Sequence, residues 1–419
     1  MIDFGEGRIH PAGAGPGTLQ KETKMPGPLE GIRVLSFARA LAGPYATMLL
    51  GDLGAEIIKI EDPRTGDTAR RNGPFIGGIS SYFLSINRGQ KSITLDLRHE
   101  RAGKIVFDLV KKVDILVENF RPGVMARLGF GYEVISRQNP KIIYASLSGF
   151  GQTGPYAAKP AFDMIAQGMG GTVSITGEAG RPPVRVGFSI GDIGAALFTA
   201  VAILAALHER EKSGKGQWID VAMVDSQLAL CENAYARYFA TGEVPQPLGS
   251  RHPLMTPFQI FATKDGYMVL IAVREEEWQK FCKMAGREDL RTDSRFQTHK
   301  DRIANYPEFE ALMNDLLKTK TTQGWLDLLE PAGIMCGPVN NIAQVVEDPH
   351  IRQRGMVVEV EHPRVGKLKL IGTPMKFSRT PCRIEKASPD LSAQTKEILN
   401  GLLGMSAEEI NELKKQKVI

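Results

Sequence analysis

Cysteine is scarce in this chain and scattered: Cys231, Cys282, Cys336 and Cys382 are the only four in 419 residues. No two form a CxxC pair, so the zinc and redox spacings are missing, and a disulfide framework is not expected in a chain this long. The four are read as reduced core or loop thiols. The seven histidines show no metal-ligand spacing either, so no metal is expected. GxSxG, HExxH and Walker A motifs are absent. Long apolar runs are also missing. The longest, Ala195 to Leu207, is interrupted by Thr199 and falls short of the roughly 18 residues a spanning helix needs, so no membrane partner is expected. The first 24 residues contain no apolar signal core, so a cytoplasmic location is expected. There is no long basic block. The 52 basic and 47 acidic residues leave a net charge of +5, too even for a dedicated nucleic-acid binder.

What is present reads as a folded α/β protein. Hydrophobic content of 42% and charged content of 24% are ordinary for a globular chain, and the length predicts two domains. The N-terminus, "MIDFGEGRIHPAGAGPGTLQKETK", is Gly- and Pro-rich and reads as disordered, with Met25 as an alternative start. Strand and helix patterns then alternate. "IRVLSFA", "EIIKIED", "DILVEN" and "KIIYASLSG" are apolar strands, with helices at "GPYATMLLGDLGA", "AGKIVFDLVKKV" and "YEVISRQNP" between them. Such alternation predicts a parallel sheet covered on both faces, with at least four strands before residue 150. "FDMIAQGMGG" reads as a helix, and in "FSIGDIGAALFTAVAILAALHE" (188–209) Asp192 stands just before a long apolar helix. "GQWIDVAMVDSQLALCENAYARYFA" reads as a strand running into one long helix. "PFQIFATKDGYMVLIAV" predicts a hairpin about Lys264-Asp265-Gly266, opening a smaller α+β block over about 245–335. Two more strands, "GMVVEVEH" and "GKLKLIG", precede a closing helix whose Ser406 and Glu409 have capping-box spacing.

Several motifs invite chemistry. "GFGQTG" (149–154) matches GxGxxG after a strand, but Pro155 and Pro160 forbid the helix a dinucleotide fingerprint requires; a substrate loop is the better reading. Basic residues gather between Arg64 and Arg98, with Arg121 and Arg127 beyond. Most are expected to be solvated surface, and a few to meet phosphates of an anionic ligand. His252 lies in the turn "GSRHPLMTPF" and is either a loop residue or a pocket wall. Asp163 and Asp192 each stand near a helix start, where the ordinary role is a cap worth about 1 kcal/mol. Asp192 carries a second reading. Gly191 and Gly194 are expected to leave its carboxylate uncrowded, and the helix N-terminus to keep it ionised and stabilise oxyanions beside it. Those conditions suit a nucleophile.

In order along the chain, "GIRVLSFARALAGPYATMLLGDLGAEIIKIEDP", "NRGQKSITLDLR", "VENFRPGVMARLGFGYE", "SLSGFGQTGP", "VGFSIGDIGAAL", "HEREKSGKGQWIDVAM" and "GIMCGPVN" resemble the successive signatures of the class III CoA-transferases. That family includes formyl-CoA and carnitine CoA-transferases and α-methylacyl-CoA racemases. The resemblance runs from about residue 28 to the C-terminus. It implies an interlocked homodimer, and a Rossmann-like large domain built from 28–225 and 336–419. A linker helix and small domain would occupy 226–335, after a disordered extension at 1–27. It implies an enzyme that moves CoA from an acyl-CoA to a carboxylic acid through an aspartyl anhydride and an aspartyl-CoA thioester, with Asp192 as nucleophile. Acyl-CoA is substrate, and no cofactor is bound permanently.

The implied CoA contacts are Leu95, Arg98, Asn119, Phe120, Arg121 and Arg127 for adenosine and phosphates, with Leu41 and Ala42 at the thioester and Phe162 and Asp163 along the pantetheine. Arginine at a position that is Asp62 here is expected to be replaced by Arg64. Two departures bear on substrate. Formyl-CoA transferases have glutamine at the position of Leu41 and a run of glycines at "GSRHP", so formyl-CoA is not the expected donor. Arg251 or His252 is expected instead to meet a carboxylate of a larger acceptor, with succinyl-CoA and a dicarboxylate as the preferred pair. The racemase alternative pairs a histidine with the first aspartate, and Phe162 stands in that place here. The alternative of another class is a non-catalytic CoA-binding protein.

Overall fold

The structure is a computed structural model that describes residues 25–419, so all but the last three positions of the expected N-terminal extension lie outside the described residues. Six strands, β1 (Arg33–Ser36), β2 (Glu56–Glu61), β3 (Lys91–Thr94), β4 (Ile115–Glu118), β5 (Ile143–Ser148) and β6 (Gln217–Ala222), form one sheet in the order 3-2-1-4-5-6. Every pairing in it is parallel. Alternate residues serve opposite faces. Leu35, Ile58, Ile60, Ile93 and Leu116 enter one core, shared with the helix Glu100–Val110 and the C-terminal helices Thr395–Gly401 and Ala407–Lys415. Val34, Ile57, Ile115, Val117 and Ile143 enter the other. Burial on both faces is why these strands read as continuous apolar runs. The C-terminal segment is tied to the sheet edge: Gln394 N donates to Ser92 O, and Thr94 N donates to Thr395 Oγ1.

Helix α1 (Ala42–Asp52) follows β1, with Pro44 in its first turn. Helix α2 (Asp163–Met169) follows the glycine-rich loop, and helix α3 (Ile190–Ser213) leads back to β6. At 24 residues, α3 is long and apolar enough to cross a bilayer, contrary to the expectation from the interrupted Ala195–Leu207 run; Thr199 does not break it, because its hydroxyl donates to Ala195 O. Half of its apolar window is buried here, with Ile203, Ala206 and Leu207 packed in the second core.

The expected long helix after β6 is two, α4 (Met223–Leu230) and α5 (Glu232–Thr241), broken at Cys231, whose ψ of 24° leaves the helical range. The expected hairpin forms between β7 (Phe258–Ala262) and β8 (Tyr267–Ile271). A third strand, β9 (Met335–Pro338), completes a small antiparallel sheet. A separate core around Trp278, Phe281, Phe309 and Trp325 backs it. β9 straddles the expected boundary after residue 335, and α4 straddles the one after 225. A last hairpin joins β10 (Val357–His362) and β11 (Gly366–Ile371), and Ser406 and Glu409 form the expected capping box.

Candidate active site

In a parallel sheet all strands end on one edge, and open α/β folds take ligands there, where the strand order reverses. Here the reversal lies between β1 and β4. The loop after β1 carries Leu41 and enters α1 at Ala42, the one after β2 carries Arg64, the one after β3 Leu95 and Arg98, and the one after β4 Asn119, Phe120 and Arg121, with Arg127 closing the next short helix. Topology thus gathers on one edge residues scattered over almost ninety positions of sequence.

The β1 loop is held from below and from the side. Lys59, fully buried on β2, donates from Nζ to Ala38 O at 2.7 Å and pairs with the equally buried Asp67 at 2.8 Å. Asp67 Oδ1 accepts the Ala40 and Ala69 amides. Ala40 has φ of +63°, a left-handed conformation that costs a non-glycine residue of order 1 kcal/mol and persists because these contacts fix it. Asn119 clamps the same loop from β4: its Oδ1 accepts Arg39 N and its Nδ2 donates to Arg39 O, both at 2.8 Å. Gly43 has to be glycine, since a Cβ there would lie 2.4 Å from Ala38 Cβ.

Leu41 lies on the wall of a cavity of about 900 Å³, shared with Tyr45, Tyr82, Leu84, Ser189 and Ile193. Its far wall is the β10–β11 hairpin and the neighbouring Val346 and Arg352. Ser189 and Ile193 flank Asp192 in the first turn of α3. Neither candidate aspartate caps its own helix: the N-cap positions are Phe162 and Ser189, and neither side chain caps. Instead Asp163 reaches across. Its Oδ1 accepts Gly191 N at 2.8 Å and its Oδ2 accepts Gln167 Nε2 at 2.7 Å. It therefore satisfies one orphan amide of the helix that carries Asp192.

Gly191 and Gly194 serve this packing rather than open space about Asp192. A Cβ on Gly191 would meet Asp163 Oδ1 at 2.9 Å, and one on Gly194 would meet Leu230 Cδ1 at 2.6 Å. Asp192 itself takes no hydrogen bond from the described residues. Burial, and then the Asp163 carboxylate, push its acid up to about 7, against the expectation that helix amides would keep it ionised. Tyr82 faces the same group: burial, then Asp192, Asp67 and Asp163, push its phenol up to about 12, so it stays a protonated donor at neutral pH.

The remaining candidates divide. Arg98, Arg121 and Arg127 are exposed and have no carboxylate partner among the described residues, as suits cations awaiting an anion. Arg64 is exposed but lies against Asp62 and Asp96, at 3.4 and 3.6 Å. Leu95 and Ala42 are buried in the core. Phe162 is 77% exposed beside buried Asp163. Glu118 ends β4 buried and accepts Phe120 N; burial pushes its acid up to about 7. Arg251 and His252 are not on the cavity wall: Arg251 sits over the Tyr306 ring at 3.9 Å and His252 stacks on Phe258. Arg251 opens instead onto a smaller hollow of about 230 Å³ beside Leu230 and Cys231. Sequence reading passed over Lys59, Asp67, Tyr82 and Arg39. Arg39 and Lys59 had a local signal, each a lone basic residue inside an apolar run, "LSFARALAG" and "EIIKIED".

Comparison with known proteins finds relatives along most of the chain. The model of CoA-transferase family III matches residues 29–395. A human protein named succinyl-CoA:glutarate CoA-transferase is 37% identical over 92% of this chain and 88% of its own. An Acetobacter aceti protein named acetyl-CoA:oxalate CoA-transferase is 41% identical over 85% of this chain and 90% of its own. One from Haloarcula hispanica, named succinyl-CoA:mesaconate CoA-transferase, is 38% identical over 89% and 96%. The crystal structure of a CAIB/BAIF family protein from Brucella suis superposes with a TM-score of 0.83 at 36% identity, covering 90% of this chain and all of that one.

Proposed function

The chain belongs to CoA-transferase family III, and from that premise we propose that it moves CoA from an acyl-CoA donor to a carboxylic acid acceptor, with Asp192 as the nucleophile. The observation that carries the reading is a carboxylate with no hydrogen bond from the described residues, in the first turn of α3, between two residues that line a cavity of about 900 Å³. A nucleophile needs its lone pairs free, and this one has them.

The steps balance without a cofactor. Asp192 Oδ attacks the donor thioester carbonyl, forming a mixed anhydride and releasing CoA thiolate. The thiolate attacks the aspartyl carbonyl, forming an aspartyl-CoA thioester and releasing the donor acid as its carboxylate. The acceptor carboxylate attacks that thioester and again frees the thiolate. The thiolate then attacks the acceptor's acyl carbon, giving the new acyl-CoA and regenerating Asp192. Tyr82 O–H, protonated beside Asp192, is a donor for the oxyanions. The racemase alternative needs an acid/base group at Phe162, whose phenyl ring carries no transferable proton.

CoA is placed along the strand edge, with Arg98, Arg121 and Arg127 toward its phosphates, Leu41 and Ala42 at the thioester, and Phe162 and Asp163 along the pantetheine. A dicarboxylate acceptor is favoured because the relatives' names pair CoA with glutarate, oxalate and mesaconate. A homodimer accords with the outer face of α3, where Leu197, Phe198, Val201 and Leu204 are exposed. Arg251 and His252, off the cavity wall of their own chain, then act from the small unit of the second copy, with the large unit built from the sheet and the C-terminal helices. The test is to incubate the protein with mixed acyl-CoAs, trap, digest and weigh the Asp192 peptide. A CoA adduct that disappears in Asp192→Ala supports the mechanism. CoA-ester binding with no adduct from any donor overturns it.

A further inference from the structure

Arg39 is a half-buried cation on this edge that has no anionic partner among the described residues, as the exposed Arg98, Arg121 and Arg127 have none. Its backbone is locked on both sides by Asn119, and its guanidinium lies 5.0 Å above the Phe120 ring. Its Nε is buried with no hydrogen-bond partner, and no ion pair or side-chain hydrogen bond joins Arg39 to any described residue. The other buried or half-buried arginines around the sheet are all satisfied: Arg70 by Glu61, Arg88 by Asp52, Arg210 by Asp114. A guanidinium partly withdrawn from water with donors unmet loses hydration without compensation, so its retention calls for an external acceptor.

Its position names that acceptor. Arg39 stands on the β1 loop and Phe120 on the β4 loop, the two loops of the strand-order reversal, where α/β folds lodge phosphates. Leu41, two residues on, lines the large cavity beside Asp192, whereas Arg39 does not. The loop thus offers its apolar side chain to the acyl end and its cation elsewhere.

Resting on the CoA-transfer reading, we infer that Arg39 grips a phosphate of CoA by its guanidinium fork, making it a specificity-determining contact in addition to Arg98, Arg121 and Arg127. Arginine suits this role because its planar fork meets two phosphate oxygens at once. The Phe120 ring holds the guanidinium flat.

The test is calorimetric binding of CoA, 3′-dephospho-CoA and pantetheine to the full chain and to Arg39→Gln and Arg39→Lys, with thermal melts to show both variants folded. Arg39→Gln is expected to weaken CoA binding roughly 10- to 100-fold, with Arg39→Lys between it and the parent, and to leave pantetheine unchanged. An equal loss with dephospho-CoA places the contact on the pyrophosphate; a loss confined to CoA places it on the 3′-phosphate. In turnover the effect falls on KM for the acyl-CoA, with kcat retained. Equal loss for pantetheine, or no loss for CoA, overturns the inference while the transferase reading stands. A parent chain that binds no CoA at all overturns both.

Discussion

Asp163→Asn separates the two carboxylates electrically with little change of shape. The asparagine oxygen still accepts Gly191 N, so the first turn of α3 stays capped. The new amide group meets Gln167 Nε2, which now donates to Asp163 Oδ2, and that lost bond costs about 1 kcal/mol of stability. What disappears is the negative charge beside Asp192. The nucleophile must be ionised, so the rate of CoA-adduct formation in the parent should rise tenfold per pH unit toward a plateau, with its midpoint near 7. Burial is the larger cause of that elevation from 3.8 and Asp163 the smaller, so removing Asp163 should lower the midpoint by about 1 pH unit, not to the ordinary aspartate range. At pH 5 the parent has roughly 1% of Asp192 ionised and the variant roughly 10%, so the variant should react about tenfold faster there and equally fast above pH 8. The same linkage acts on stability. The folded acid is raised above its unfolded value, so folding is favoured by the proton at low pH, and that contribution is lost as pH rises from about 4 through 7. Asp163→Asn should therefore flatten the fall in melting temperature over that window. Single-turnover quench across pH 4.5–9 reads the rate. An unmoved acid limb, or one displaced upward, refutes the placement of Asp163 as the charge that Asp192 feels.

Lys59→Met strands the Asp67 charge in a fully buried site and should cost about 3–5 kcal/mol in urea unfolding, whereas Lys59→Met with Asp67→Asn, which keeps an acceptor for Ala40 N, should cost clearly less; equal costs would falsify the buried-pair account. Gly191→Ala places a Cβ 2.9 Å from Asp163 Oδ1 and 3.2 Å from its carbonyl oxygen, and should slow adduct formation at least about tenfold by shifting α3. Gly194→Ala meets only the tip of Leu230, which can rotate away, so it should keep most activity and lose about 1 kcal/mol of stability; the opposite ranking counts against the packing described.

The strands that were legible are those buried on both faces, because "IRVLSFA" and "EIIKIED" leave no polar alternation to confuse with a surface helix. β3 and β9 were passed over as strands for the converse reason. "KSIT" and "MCGP" are four residues each, too short to show a period, and they exist as strands because β2 and β8 offer them an edge. The break at Cys231 was likewise invisible, since neither Gly nor Pro marks it. Here Thr172 and Gln227, whose side chains bond each other, tie α4 to the turn after α2.

The site was legible in kind and not in wiring. Asp163 and Asp192 carry the same local signature, an aspartate in the first turn of a helix, and local rules assign both to capping. The fold breaks the tie. By crossing to α3, Asp163 accepts the Gly191 amide and sets its charge beside Asp192. One carboxylate is thereby spent on holding backbone. The other is left with free lone pairs, a raised pKa and two neighbours on a cavity wall. That division requires knowing which helix lies against which, and so does the vacancy around Arg39, whose meaning comes from the carboxylates that are not near it. A charged residue's chemical role in this protein follows from the partners that tertiary packing gives or withholds. The experiments that matter most are accordingly those that restore a partner, or remove one, at fixed side-chain shape.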